Sequence, residues 1–245
     1  AHCISEWGYD FRPSYLKIAE LREMYPDVPI LALTASATPD VVSDIKDKLL
    51  FRTPSNMFQA SVERNNLHYV VRMSDNKDAQ LYKILIAVQG SAIVYTRTRD
   101  GAEKVAKMLQ SMDLSANYYH AGLEANERKE RQNSWMSGET RVLCATNAFG
   151  MGIDKADVRV VVHYDIPDAL EQYYQEAGRA GRDGLKSYAV LLTTPSSVEQ
   201  LVRRHEKVFP PKDYVRAVYQ HLANYYVIGE GSGNGSVYPF KLEEF

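Results

Sequence analysis

QYYQEAGRAGRDG, residues Gln172–Gly184, sets Arg179 and Arg182 three positions apart among three glycines, Gly178, Gly181 and Gly184. It closes the helical stretch 169–177 and precedes the apolar run 188–192. Glycines let backbone approach a neighbour closely, and guanidinium forks suit phosphate oxygens. A helix end of this kind, in front of a strand, is expected of an α/β protein whose loops handle phosphate. Taken alone, the segment is equally compatible with a helix terminus carrying two surface arginines.

Working outward, residues 67–208 read as a regular alternation of apolar runs and helical patterns. Strands are predicted at 67–72, 92–95, 116–119, 142–145, 158–163 and 188–192. Helices are predicted at 78–88, 101–112, 126–137, 169–177 and 196–208. Such alternation predicts a parallel sheet with helices on both faces, with ligands at the carboxyl ends of the strands, where most of the motifs fall. Upstream, 13–25 has helical spacing, Pro29–Leu33 reads as a short buried strand, and Thr38-Pro39 opens a helix to Leu50. Residues 51–66 read as a linker with one strand and a turn at Arg64-Asn65-Asn66. Downstream, Pro210-Pro211 marks a boundary, 213–226 is an amphipathic helix, and the glycine-rich Gly229–Gly235 predicts a hairpin between 225–228 and 237–240.

Composition narrows the function classes. The 245 residues are 45% hydrophobic and 24% charged with a formal net charge of −2, so contact with nucleic acid must come from local patches, not from a global basic field. Two cysteines, Cys3 and Cys144, are too few for a disulfide framework or a Cys₄ zinc site and read as buried free thiols. No structural zinc is expected. No signal peptide or long apolar run stands out, which makes a cytoplasmic setting the default, nucleoid-associated in a bacterium, with no membrane partner. No GxxxxGK[ST] phosphate loop occurs anywhere in the chain, so the lysine and magnesium carboxylate of a complete nucleotide site are missing. The expectation is a fragment of a longer protein.

Three segments, AHCISEWGYDFRP (Ala1–Pro13), TASAT (Thr34–Thr38) and QEAGRAGRDG (Gln175–Gly184), together resemble the RecQ family of ATP-dependent DNA helicases. The first is similar to the end of the DEAH box running into an aromatic-rich loop, the second to motif III, the third to motif VI. The resemblance covers about residues 1–204. Glu6 and Tyr9 depart from the Gln and His usual in that loop, and the family's common Cys₄ zinc module has no counterpart here.

The resemblance implies a P-loop NTPase-type α/β fold of RecA-like lobes. Residues 1–61 would be the end of lobe one, 62–208 a complete lobe two, and 209–245 the start of a C-terminal module of winged-helix kind, a short helix plus hairpin. It implies ATP and Mg²⁺ as cofactors, held largely by the absent part of lobe one. Single-stranded and partially duplex DNA are the implied partners, with 3′–5′ translocation and unwinding as the activity of the parent protein. Arg182 would be the arginine finger on the γ-phosphate, Arg179 its partner, with Gln175 and Glu176 placing the loop and His2 reporting nucleotide state. Gly150, Gly152, Gly178 and Gly181 would allow close approach to the nucleotide, and Asp154 would contact the ribose or order the arginine pair. DNA contacts would come from Trp7, Phe11 and Arg12 by stacking and charge. Thr34, Ser36 and Thr38 would relay hydrogen bonds, and Tyr95, Arg97, Thr98, His120, Thr146 and Asn147 at strand ends would meet DNA directly. The alternatives are a non-enzymatic DNA-binding or regulatory fragment and an RNA helicase of the related DEAD-box kind. The fragment alone is expected not to hydrolyse ATP.

Overall fold

Six strands carry the fold: β1 (Leu67–Met73), β2 (Ser91–Tyr95), β3 (Ala116–Tyr119), β4 (Val142–Ala145), β5 (Val158–His163) and β6 (Ser187–Thr193). The computed structural model describes residues 1, 4, 13–34, 37–59, 63–150, 153–229, 232 and 234–239. The strands form one sheet in the order β1-β6-β5-β2-β4-β3, and every neighbouring pair is parallel. The described helices are α1 (Glu20–Met24), α2 (Pro39–Lys48), α3 (Lys77–Ala87), α4 (Arg99–Ser111), α5 (Ala125–Ser137), α6 (Leu170–Ala177), α7 (Ser197–Val208) and α8 (Lys212–Tyr225).

Successive strand residues point to opposite faces, and in the central strands both faces are covered. In β2, Ala92 and Val94 join α3 (Leu81, Leu85) and α4 (Val105, Leu109) in one core. Ile93 and Tyr95 join Trp135 of α5 and Ala177 of α6 in the other. That two-sided burial is why the strands read as unbroken apolar runs. Cys144 sits in the first core as a free thiol, and burial pushes its pKa up, so it stays protonated and unreactive. Helix starts follow the sequence chemistry: the Thr98 hydroxyl accepts from the Gly101 amide at 3.0 Å, and the Asn76 side chain accepts from Ala79 at 3.0 Å, each satisfying an orphan N–H.

Two topological features position the site. Connections after β5 run toward β6 and β1, whereas those after β2 run toward β3 and β4, so the β5/β2 boundary is the switch point of the sheet. The link from β4 to β5 carries no helix among its described residues. Instead Phe149 buries itself in the core beneath α5 and α6, 1% exposed, with rings 5.4 Å from Trp135 and 4.9 Å from Tyr119. The link thereby crosses from the carboxyl end of β4 to the amino end of β5 along the α6 side.

Outside the sheet, several expectations change. Pro29–Leu33 forms no strand: Leu31 and Leu33 are 78% and 71% exposed, while Ile30 and Ala32 pack on the small cluster of Ile4, Ile45 and Leu49. A lone extended segment without a neighbouring strand gains no ladder. The pattern at 13–25 divides into a 3₁₀ stretch, Pro13–Ala19, and the short α1. No strand occurs among the described residues of 51–66, although a turn does occupy Asn65 and Asn66.

The predicted C-terminal hairpin is also absent among the described residues. Val227 and Val237 are 90% and 95% exposed. The chain instead folds back through Tyr226, whose hydroxyl donates to Pro239 O at 2.5 Å and whose ring lies 5.0 Å from Tyr238. A proline offers no amide for a ladder, and the glycine run loses much entropy on ordering. The chain divides into two compact units, Ala1–Thr194 and Pro195–Phe245. Among the described residues no helix is long and apolar enough to cross a membrane.

Candidate functional site

Helix α6 delivers the glycine–arginine segment. It runs back from the carboxyl ends of the strands and stops at Ala177, and the segment that follows lies at their amino ends. There the Gly181 amide donates to Val158 O of β5 at 2.8 Å, and Ser187 of β6 donates to Asn66 O beside β1 at 2.8 Å. The carboxyl-end location therefore holds for Arg97, His120, Thr146 and Asn147 but not for this segment.

Gly181 has φ +62°, and a Cβ there would stand 2.6 Å from Asn66 Nδ2 and 2.7 Å from Ser187 Oγ. Only glycine fits. Two residues that the sequence offered merely as a turn clamp the segment. Arg64 donates to Gly178 O at 3.0 Å and also to Gly181 O. Asn66 Nδ2 donates to Gly181 O at 2.7 Å and Leu185 O at 2.9 Å. Their only signal in the sequence is position, just ahead of the first strand of the sheet. Arg64→Ala is expected to lower the unfolding free energy by about 2 kcal/mol, since charged donors to two carbonyls are lost. Amide exchange at Gly181 should quicken in parallel. Urea titration and hydrogen exchange check the two effects.

The two arginines differ in their surroundings. Arg182 donates to Asp154 Oδ1 at 2.6 Å and to Ile153 O at 3.2 Å. This pair lies at the surface, with side chains 35% and 81% exposed. Arg179 is half-buried. It donates to Gly150 O at 2.6 Å, and its buried Nε has no hydrogen-bond partner among the described residues. A Cβ on Gly150 would collide with its guanidinium, so that glycine admits Arg179 against the β4–β5 link. Arg179 thus fastens the link, whereas Arg182 is the arginine that solvent reaches.

The inner face of α6 reaches the switch point. Glu176, 5% exposed, meets His163 Nε2 at 3.0 Å and accepts from Gln172 at 3.0 Å. The His163 ring stacks on Tyr95 at 5.6 Å. Tyr95 is 3% exposed, and its hydroxyl donates to Phe149 O at 3.0 Å. Burial pushes this phenol up and keeps it neutral. Tyr95 is consequently a core strut instead of a surface contact. Gln175 is half-buried on the same helix. His163 does not stand out in the sequence, because it ends an otherwise ordinary apolar strand.

At the carboxyl edge, Arg97 and Asn147 are exposed, Thr146 is buried, and His120 is buried against Glu103 at 3.1 Å. The Arg97 amide donates to Asp165 at 3.0 Å. Thr98 commits its hydroxyl to the α4 cap. Between β2 and β5 a cleft of about 20 Å³, bounded by Thr96, Arg97, Asp165 and Asp168, has room for roughly one water. Thr34 and Thr38 are exposed, and Thr38 caps α2 with 3.4 Å to the Val41 amide. His2, Cys3, Trp7, Phe11, Arg12, Ser36 and Gly152 lie outside the described residues.

Residues 76–184 match the helicase conserved C-terminal domain. Over 197 residues, 78% of this chain, the sequence is 49% identical to "RecQ-like DNA helicase blm-1" of Caenorhabditis elegans and spans 20% of that protein. Over 200 residues, 81% of this chain, it is 45% identical to "ATP-dependent DNA helicase RecQ" of Bacillus subtilis and spans 34% of it. Among solved structures, S. cerevisiae Dbp5 bound to RNA and ADP BeF3 is similar with a TM-score of 0.64 at 21% identity, over 82% of this chain and 54% of that one. A DEAD box protein from Methanococcus jannaschii is similar with a TM-score of 0.53 at 22% identity, over 72% and 48%. These structural likenesses show the fold alone, a parallel α/β sheet of the RecA-like kind. The sequence kinship, with the Gly–Arg segment on its clamped loop, is to helicases of the RecQ family, which this chain matches at 45–49% identity over 78–81% of its own length while spanning 20–34% of theirs.

Proposed function

We propose that this chain forms the second motor lobe of an ATP-dependent DNA helicase, moving 3′ to 5′ on single-stranded DNA and unwinding partial duplexes. The names of its relatives support the reaction and the nucleic acid. The observation that carries the nucleotide part is Arg182, an exposed guanidinium on a rigid loop. Its ion pair with Asp154 is a surface pair, worth about 0–1 kcal/mol, so turning the fork toward a phosphate costs little.

Among the residues present, Arg182 fits the γ-phosphate end of ATP. Mg²⁺ is assigned in this reading to the lobe that carries the phosphate loop. ATP, when bound, supplies the phosphoanhydride whose hydrolysis drives the cycle. Arg182 neutralises charge developing on the transferred group. Arg179 holds the β4–β5 link against α6, so that Asp154 stays beside Arg182. Glu176 and His163 tie α6 to the strand ends where Arg97 and Asn147 face solvent toward a DNA backbone. The span from Asn147 to Asp154 joins the nucleic-acid edge to the nucleotide edge in one stretch of chain.

The 245-residue chain alone should show no ATP turnover above background. Supplying a first lobe, as one polypeptide, should restore turnover that single-stranded DNA stimulates more than RNA of the same sequence. Turnover by the chain alone would remove the two-lobe reading. Equal stimulation by RNA would favour the DEAD-box alternative, and failure to turn over with a competent first lobe would favour a pure binding role.

A further inference from the structure

Strand β1 is an open edge of the sheet: among the described residues it pairs with β6 alone, in unbroken register from Leu67 to Met73. Its outer row of N–H and C=O groups is therefore available. Natural edges are usually blunted by several charges, a proline or a bulge. Leu67–Met73 has none of these beyond Arg72.

The two faces of this edge differ in chemistry. On the α6 side, Tyr69 and Val71 are 46% and 64% exposed, as are Leu170 and Tyr174 of α6 at 64% and 47%. The Tyr69 and Tyr174 rings are 5.9 Å apart. On the α3 side, a groove of about 460 Å³ runs between β1 and α3, bounded by Arg72, Met73, Gln80, Lys83 and Ile84. Arg72 and Lys83 are exposed, and among the described residues neither has an ion-pair partner.

We propose that β1 receives an extended peptide of a partner protein, alternating acidic and apolar residues, as a seventh strand. Strand addition places alternate side chains on opposite faces. The acidic set meets Arg72 and Lys83, and the apolar set covers Tyr69, Val71 and Tyr174. A nucleic-acid backbone would satisfy the cations but leave the apolar stripe and the edge amides uncovered. The charge complementarity and the two-residue period thus favour the peptide.

The test uses the 245-residue chain and fluorescence anisotropy with a fluorescein-labelled decapeptide alternating glutamate and valine. Saturable binding is expected, with the block peptide (five glutamates, then five valines) weaker by about tenfold or more. Arg72→Glu with Lys83→Glu should weaken the alternating peptide by about tenfold or more. Both side chains are exposed, so the variant's fold is checked simply by circular dichroism. N-methylation of alternate peptide amides should abolish binding in one frame and spare it in the other, because one row of amides faces β1. No binding, equal affinity of the block peptide, survival in the double variant, or indifference to both methylation frames would overturn the proposal. So would displacement by oligothymidylate that itself needs Arg72 and Lys83, since the groove would then belong to nucleic acid.

Discussion

Gly181→Ala is expected to destabilise the Ala1–Thr194 unit by about 3 kcal/mol or more, a large share of an ordinary domain's stability. Two costs add. The native φ of +62° is one that a side chain adopts at roughly 1–2 kcal/mol. The new methyl then meets Asn66 Nδ2, Ser187 Oγ and Leu185 O at 2.6, 2.7 and 2.9 Å, an overpacking of about 1–3 kcal/mol. Asn66 has no easy retreat, because its amide already serves Gly181 O and Leu185 O. The loop must shift, and it takes Arg182 with it. Urea unfolding should show a lower midpoint at unchanged slope. Gly184→Ala is the control: φ there is +81°, yet nothing lies within 4 Å of the added Cβ, so only the backbone term applies. Equal losses in the two variants would mean that the Asn66–Ser187 cradle is not what demands glycine at 181.

The central strands were legible from the sequence because a parallel strand covered on both faces is apolar at nearly every position. Ile93 and Val94 serve different cores, yet both are buried, and a run such as SAIVY suits few structures besides a buried strand. Legibility fades where a residue's fate depends on a distant partner. Pro29–Leu33 has the composition of a strand, but composition does not supply the neighbour that makes one. Tyr95 looks like a surface aromatic after a strand, and its inward turn depends on the Phe149 carbonyl, 54 positions away. Arg64 and Asn66 brace a loop more than 110 residues downstream, a relation that no local pattern encodes. Within the arginine pair, the spacing alone offers two forks and the resemblance puts Arg182 first; the packing of Gly150 against Arg179 separates the fastener from the exposed one.

Arg182→Ala, made in a polypeptide that carries this chain together with an ATP-binding first lobe, is expected to reduce kcat for ATP by roughly three to five orders of magnitude. That corresponds to about 4–7 kcal/mol of transition-state stabilisation. Affinity for single-stranded DNA should persist, because Arg97 and Asn147 lie at the other end of the strands. Stability should move by only about 0–1 kcal/mol, since the lost ion pair with Asp154 is solvent-exposed. Arg182→Lys keeps the charge without the fork and should recover only part of the rate. Asp154→Ala leaves Arg182 in place but unsteered, and a loss of about tenfold is expected from misorientation. Arg179→Ala gives the discriminating contrast. It uncouples the guanidinium from Gly150 O, so stability and turnover should fall together, whereas in Arg182→Ala turnover falls alone. If Arg179→Ala abolished turnover at full stability while Arg182→Ala left it intact, the two roles would have to be exchanged. The exposed fork would then be a surface ion pair, and the half-buried one would have to leave Gly150 to reach the nucleotide.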